Sequence, residues 1–214
     1  SLVAHGFCFY KGGHAAGEIA SNLAITSLQD YFNEHFSLLK SAQKEGDFLN
    51  FLYDMINKTN SLIWKAASQD EQYKGMGTTL TVALNLENKF FIGHVGDSRA
   101  YVVKKQVIEK ITRDHSLVEE LVKNGEIDKE EALAHPQRNV LTRALGSESQ
   151  VEAEFFTVIL EDGSILLLFT DGLTSLVSEE EIFLVVRILL TKKLWLINLL
   201  IWLMKEAGMI ISRQ

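Results

Sequence analysis

Two aspartates each stand beside a glycine, directly after an apolar segment. Asp97 follows the apolar run 89–95, and Asp171 follows the apolar run 164–169. A carboxylate at the end of a strand is held rigidly, and a neighbouring glycine lets a ligand approach closely. Carboxylate oxygens are also the ligands that hard divalent cations prefer. Gly-Asp and Asp-Gly are common turn dipeptides as well, so each aspartate taken alone favours a plain turn over a metal site.

A third segment with potential chemistry is glycine-rich and opens the first predicted helix. It reads Lys11-Gly12-Gly13-His14-Ala15-Ala16-Gly17-Glu18. Backbone N–H groups at a helix N-terminus suit anions, and His14 could exchange a proton near neutral pH. A plain loop with a helix cap is the alternative. We expect the histidines at 94, 115 and 135 to be structural, because they lie within a predicted strand, after Asp114 and before Pro136.

The pattern of apolar residues predicts an α+β fold. Spacings of three and four predict amphipathic helices over 15–39 and 47–68. Short β-branched and aromatic runs predict strands over 78–86, 89–95, 99–103, 151–159 and 164–169. The turn signals between the first three strands predict an antiparallel meander. Two short helices, 116–124 and 128–134, are each predicted after a capping residue. Helices followed by strands, short helices and strands again do not form alternating βαβ units.

Composition limits the classes of function. The chain has 214 residues, with 28 acidic and 21 basic side chains and a net charge of −7. Its length predicts one domain. The acidic charge argues against broad binding to nucleic acid, which needs a basic face. A single cysteine, Cys8, excludes an intrachain disulfide, and we therefore expect a reducing, cytoplasmic location.

Five motifs follow one another along the chain, and their combination is far more specific than any one of them. They read GMGTT at 75–79, GHVGDSRAY at 93–101, TRDHS at 112–116, NVLTRALG at 139–146 and FTDGL at 169–173. In this order they resemble bacterial metal-dependent protein phosphatases of the PPM (type 2C) family. The resemblance implies a four-layer α-β-β-α sandwich, with a metal centre in a cleft at one end of the two sheets.

The resemblance also implies a chemistry for named residues. Family members use two manganese or magnesium ions to activate a water that attacks the phosphorus of phosphoserine or phosphothreonine in line. By resemblance, Asp171 is a core metal ligand, Asp97 belongs to a third and weaker metal site, and Gly6 supplies a carbonyl. His14 matches the histidine that protonates the leaving alcohol. Residues 116–138, the flap segment, resemble a mobile flap beside the cleft.

The chain departs from the family pattern at its N-terminus. Family members read V-A-D-G-M-G-G-H, and here His5 replaces the aspartate that bridges both metals. Four extra residues separate His5-Gly6 from the glycine pair Gly12-Gly13. The family's N-terminal strand, with its phosphate-binding arginine and Asn-Glu-Asp element, has no counterpart in the sequence. A neutral imidazole cannot bridge two cations with a negative charge, so we expect weak or absent activity.

The C-terminal segment departs as well. Residues 184–214 carry five bases and one acid, or +4, whereas residues 1–183 carry 16 bases and 27 acids, or −11. The apolar run 194–204 is too short to span a bilayer and favours a buried or interfacial helix over a membrane anchor. One choice of synonymous codons for residues 202–214, read two bases later, encodes ANERGGNDNITT, which contains the closing motif of the family. We therefore predict a phosphatase domain over 1–183 and a divergent tail over 184–214 that arose by a frameshift, with an evolved interaction helix as the alternative.

These observations predict a metal-dependent serine/threonine protein phosphatase of impaired activity. Its partners would be phosphorylated proteins and a cognate kinase, with no nucleic acid and no membrane. The alternative is an inactive phosphatase-like module that binds phosphoproteins or a kinase. A regulatory phosphatase of the sporulation or stress-response type shares the fold and stays open as a third possibility.

Overall fold

The fold was obtained as a computed structural model. It describes residues 2–9, 15–42, 44–174, 177–191 and 210–213. Two long helices, α1 (Ala15–Ser41) and α2 (Glu45–Gln69), confirm the two amphipathic helices predicted from the apolar spacing. Their buried residues form one cluster, which includes Ala24 and Leu28 of α1 and Leu52 and Ile56 of α2.

The strands of the described residues form two antiparallel sheets. The first sheet has the order β1-β2-β3-β6 and the second has the order β5-β4-β7-β8. The strands are β1 (Leu2–Phe9), β2 (Thr79–Leu86), β3 (Lys89–Val95), β4 (Arg99–Val103), β5 (Ile108–Lys110), β6 (Glu154–Ile159), β7 (Ile165–Phe169) and β8 (Ile210–Arg213). The shorter helices are a 3-10 turn (Glu71–Tyr73), α3 (Leu117–Lys123), α4 (Lys129–Ala134), α5 (Asp171–Thr174) and α6 (Glu179–Thr191).

Side chains alternate between the two faces of each strand, and this alternation builds the predicted four layers. On β4, Ala100 and Val102 face the first sheet, whereas Tyr101 and Val103 face α6. β7 divides in the same way, and on β2 the residues Leu80, Val82 and Leu84 pack with the cluster formed by α1 and α2. Because successive side chains of a strand point to opposite faces, each central strand contributes to two cores. The order of the layers is α1/α2, first sheet, second sheet, α6, which confirms the predicted sandwich.

The predicted meander is wrong for its third strand. β2 and β3 pair through Leu80 to Leu86, as expected for a hairpin. β4 instead pairs with β5 and β7 in the other sheet. The residues between β3 and β4, Gly96-Asp97-Ser98, therefore carry the chain from one sheet to the other. Both faces of these strands are apolar, so their sequence does not reveal in which sheet each one lies.

Hydrogen bonds fix the flap segment at both of its ends. The hydroxyl of Ser116 accepts the N–H of Glu119 at 3.3 Å and caps α3, as predicted. A backbone bridge joins Ser116 to Leu141, and the N–H of Leu117 donates to the carbonyl of Val140 at 2.9 Å. The flap segment therefore leaves and returns at one point beside the second sheet, because β4 and β5 lie immediately before it.

The tail is part of the same fold where it is described. α6 runs from Glu179 to Thr191 and continues through the predicted boundary between residues 183 and 184. β8 pairs with β7, with Ile211 opposite Leu167. The predicted apolar run 194–204 lies outside the described residues. No helix in the described ranges is both long enough and apolar enough to cross a membrane.

Candidate functional site at the end of the two sheets

Asp97 lies in the crossover between the two sheets. It is 7% exposed, and the neighbouring Ser98 is 2% exposed. The Ser98 and Thr79 hydroxyls are 2.8 Å apart, which ties the crossover to the start of β2. A carboxylate held in this way has its position determined by both sheets.

The crossover requires a glycine at position 96. Gly96 has φ +109°, in the region that disfavours residues with a side chain. A Cβ built there would lie 2.4 Å from Cγ2 of Thr79. The close approach of this backbone to β2 is therefore possible only without a side chain, which explains the glycine in the motif.

Asp171 occupies the matching position on the neighbouring strand. It is the first residue of α5, directly after β7, and it is partly exposed. β4 and β7 pair with Arg99 opposite Phe169. Asp97 precedes Arg99 by two residues and Asp171 follows Phe169 by two. The antiparallel register therefore places both aspartates beyond the same end of this strand pair, at corresponding positions.

The structure does not bring all the predicted site residues to this end. Gly6 pairs with Val82, which pairs in turn with Gly93, so Gly6 lies in a row four residues before Asp97. His5 lies one row further into the sheet, opposite Ala83. β1 continues beyond Gly6 as far as Phe9. His14 lies outside the described residues.

A buried polar layer beside Asp97 contains two histidines that the sequence indicated only as structural. His94 is fully buried, and its Nε2 lies 2.9 Å from the carbonyl of Arg113. Because a carbonyl only accepts, Nε2 donates, and Nδ1 then accepts the hydroxyl of Thr81 at 2.9 Å. Burial lowers the pKa of His94 to about 4, so the imidazole is neutral at neutral pH.

His115 contacts the crossover directly. Its Nδ1 accepts the N–H of Gly96 at 3.2 Å, and its own N–H donates to the carbonyl of Gly96 at 2.7 Å. Burial, followed by the neighbouring His94 and Arg143, lowers the pKa of His115 to about 4. The sequence contains one indication of these contacts. Each histidine lies close to an aspartate, in His94-Val95-Gly96-Asp97 and in Asp114-His115.

An internal ion pair fixes the strand that follows the crossover. Arg99 donates to Asp114 from Nη2 at 2.6 Å and from Nε at 3.0 Å. Lys110 Nζ lies 2.8 Å from the other carboxylate oxygen. Burial alone would raise the pKa of Asp114, but the hydrogen bonds and charge of Arg99, together with Lys110, hold that pKa below its ordinary value. Asp114 is therefore ionised and fully engaged, which makes it a structural anchor.

The donor chemistry of this end of the sandwich suits a hard cation. Asp97 and Asp171 supply carboxylate oxygens, the ligand type preferred by Mg²⁺ and Mn²⁺. Within the described part of the chain, however, no group of three or more His, Cys, Asp or Glu side chains could hold a metal ion. The described residues thus provide two carboxylates in register and not a complete metal centre.

Comparison with known proteins identifies the family of this fold. The model of the family "Protein phosphatase 2C" matches residues 1–193. The serine/threonine phosphatase stp of Listeria monocytogenes is 42% identical over 170 residues, which cover 79% of this chain and 66% of that protein. The crystal structure of the serine/threonine phosphatase Stp1 from Staphylococcus aureus has a TM-score of 0.80 at 34% identity, covering 98% of this chain and 86% of that one.

A second similar structure contains metal. The catalytic domain of the serine/threonine protein phosphatase PstP, in complex with two manganese ions, has a TM-score of 0.67 at 34% identity and covers 85% of this chain and 72% of that one. The chain spans just under two thirds of the length of the Listeria relative. The match of the family model over nine tenths of the residues, together with the two carboxylates in register, places this chain in the protein phosphatase 2C (PPM) family.

Proposed function

We propose that the chain is a phosphatase that acts on phosphoserine and phosphothreonine in proteins, depends on manganese or magnesium, and turns over slowly. The observation that carries this proposal is the register of β4 and β7, which aligns Asp97 with Asp171 beyond one end of the strand pair. Asp171 would be the principal carboxylate ligand and Asp97 the ligand of a weaker site, with Gly6 and His14 as further candidate residues.

The described residues do not fit a two-metal centre. Such a centre needs a carboxylate shared by both ions, and the matching position is His5, which lies within β1 opposite Ala83. The carboxylates that the described residues place at this end are those of Asp97 and Asp171, and no group of three or more His, Cys, Asp or Glu among the described residues could hold a metal ion. Two carboxylates hold a divalent cation less firmly than the larger sets of oxygen ligands that such ions prefer. This shortage of ligands supports impaired turnover.

The relatives support the choice of cation and partners. PstP is described with two manganese ions, and the Listeria relative is named a serine/threonine phosphatase. We therefore expect phosphorylated proteins as substrates, a cognate serine/threonine kinase as the opposing enzyme, and a cytoplasmic location. The net charge of −7 gives no support to a nucleic-acid partner.

The experiment is an assay of phosphate release from a phosphothreonine peptide, with and without Mn²⁺. We expect slow release that requires Mn²⁺ and is abolished by Asp171→Asn. The matched control is Asp162→Asn, which removes an exposed carboxylate in the turn between β6 and β7. Equal release by the wild-type chain and Asp171→Asn would contradict the assignment of this residue.

The shortage of ligands also favours a second candidate, an inactive module that binds phosphoproteins or a kinase. Titration calorimetry with Mn²⁺ and with the phosphopeptide, together with the assay of phosphate release, separates the two candidates. Binding of the phosphopeptide without Mn²⁺ binding and without turnover would establish the module. Turnover that Asp171→Asn abolishes would exclude it.

The tail keeps its own proposal, which is that residues 184–214 are the product of a frameshift near residue 183. The divergent charge of this segment, +4 against −11 for the rest of the chain, supports it. The test is the gene itself. A coding sequence in which no shifted frame encodes the Gly-Gly-x-Asp-Asn-Ile motif rules out the frameshift.

A further inference from the structure

Three hydrogen bonds join His115 to two other parts of the chain. Two of them go to Gly96, from the His115 N–H to the carbonyl at 2.7 Å and from the Gly96 N–H to Nδ1 at 3.2 Å. The third comes from the N–H of Thr142, which donates to the His115 carbonyl at 2.9 Å. One residue therefore connects the crossover, the beginning of the flap segment and the chain just after its end.

The side chain of His115 has an unusual hydrogen-bonding pattern for a buried histidine. It is 95% removed from solvent, and its Nδ1 must be unprotonated in order to accept from Gly96. The hydrogen is then on Nε2, which has no hydrogen-bond partner among the described residues. Oε1 of Glu154 lies 3.8 Å from this nitrogen. Burial of a donor without a partner is unfavourable. The side-chain hydrogen bond recorded for this imidazole is the one from the crossover, at Gly96.

The position of Gly96 makes this interaction relevant to Asp97. Gly96 immediately precedes Asp97, and its positive φ sets the direction in which the chain leaves β3. The two hydrogen bonds to His115 hold both backbone polar groups of Gly96. On the other side of His115, Ser116 caps α3 and pairs with Leu141. A displacement of the base of the flap segment would therefore be transmitted to the crossover.

We propose that His115 is a positioning residue, which holds the Gly96-Asp97 turn in a fixed relation to the base of the flap segment. The inference rests on the proposed function only in that it gives Asp97 a role in the site. A simpler reading is that His115 fills space in the core, as the equally buried His94 does between Thr81 and Arg113. The two readings differ in whether loss of the Nδ1 acceptor acts locally on Gly96.

The direct test uses the unchanged protein. We expect a through-hydrogen-bond scalar coupling between the amide nitrogen of Gly96 and Nδ1 of His115, measured by NMR on the ¹⁵N-labelled chain. The imidazole shifts should show a hydrogen on Nε2. Absence of the coupling, or a hydrogen on Nδ1, overturns the proposal.

Two substitutions test the consequence for the turn. Asparagine places an acceptor oxygen at the same number of bonds from Cβ as Nδ1, whereas leucine offers none. We expect His115→Leu to accelerate amide hydrogen exchange of Gly96 about tenfold relative to Phe91 of β3, the effect of one lost hydrogen bond. In His115→Asn, the ratio of the two exchange rates should stay within about threefold of wild type, because the acceptor is kept.

The control is Leu52→Ala, which removes part of a fully buried side chain from the other side of the first sheet. It should accelerate exchange at Gly96 and Phe91 by the same factor. If His115→Leu also accelerates exchange at both amides by the same factor, His115 is only a core residue and the proposal fails. Should His115→Leu not fold, the coupling and the exchange ratio in His115→Asn decide. Neither measurement uses turnover, so a chain without phosphatase activity would overturn the proposed function and leave this result standing.

Discussion

The guanidinium of Arg99 and the carboxylate of Asp114 form a bidentate ion pair between β4 and the loop that precedes the flap segment. Asp114 receives Arg99 Nη2 at 2.6 Å and Lys110 Nζ at 2.8 Å, and its side chain is 9% exposed. Removing Arg99 leaves the buried carboxylate with Lys110 as its remaining partner among the described ion pairs. We expect Arg99→Met to lower the free energy of unfolding by about 3 kcal/mol, measured by urea denaturation.

The hairpin formed by β4 and β5 provides the control for this prediction. Lys104 and Glu109 form an ion pair at 3.1 Å with side chains that are 41% and 54% exposed. Since such pairs are screened by water, Lys104→Met should change the free energy of unfolding by less than about 1 kcal/mol. Equal losses in the two variants would show that burial of the Arg99 pair has no energetic effect.

We expect acid to destabilise the fold, because its buried histidines have lowered pKa values. Burial lowers the pKa of His94 from its ordinary 6.5 to about 4. Between these values the unfolded chain binds a proton that the folded chain does not, so stability falls as the pH falls through this window. The slope is about 1.4 kcal/mol per pH unit for each such imidazole. Urea denaturation at pH 7.5 and 5.0 measures it, and His94→Asn should reduce the difference between the two pH values. An unchanged difference would show that His94 does not titrate in this way.

Gly96 and Gly125 provide a matched pair for testing the crossover. Both have positive φ, +109° and +74°, but a Cβ at Gly96 would meet Thr79 whereas a Cβ at Gly125 meets nothing within 4 Å. Gly125→Ala should therefore cost about 1 kcal/mol from its backbone conformation alone. Gly96→Ala should cost about 3 kcal/mol, because it adds an overpacked contact. Similar losses by urea denaturation would contradict the close approach to Thr79.

Binding of Mn²⁺ should depend on the aligned aspartates in an ordered way. Asp171 is the proposed principal ligand. Asp171→Asn should therefore reduce the affinity for Mn²⁺ more than Asp97→Asn does. We expect Asp171→Asn to weaken Mn²⁺ binding by about tenfold or more, because an amide oxygen lacks the charge of a carboxylate. Titration calorimetry measures this, with Asp162→Asn as the unaffected control. The reverse order of affinities would exchange the two assignments.

Restoring the family pattern at β1 should increase turnover. His5→Asp alone should have little effect, because the register keeps residue 5 within the strand, opposite Ala83. His5→Asp combined with removal of four of residues 7–11 restores both the carboxylate and the family spacing. We expect this variant to release phosphate from the phosphothreonine peptide about 100-fold faster than the wild-type chain, because a shared carboxylate lets two ions act together. Equal rates would place the defect elsewhere, for instance in the tail.

The sequence predicted the elements better than their arrangement. Both aspartates lie at strand ends as expected. An apolar run bounded by Gly-Asp or Asp-Gly can be recognised from neighbouring residues alone. The division of β3 and β4 between two sheets was not predicted, because the sequence of a strand that is apolar on both faces does not show in which sheet it lies. Contacts such as Gly96 with His115 were also not predicted, because they join residues 19 positions apart and depend on the packing of the whole sandwich.

The pairing of β4 with β7 has a consequence for how this protein could lose its activity over evolutionary time. Asp97 and Asp171 are aligned by Arg99 and Phe169, and neither β1 nor the tail takes part in that pairing. Changes in β1 and in the tail can therefore accumulate while the spacing of the two carboxylates is preserved. A member of the family altered in those two segments would keep this pair of carboxylates in register.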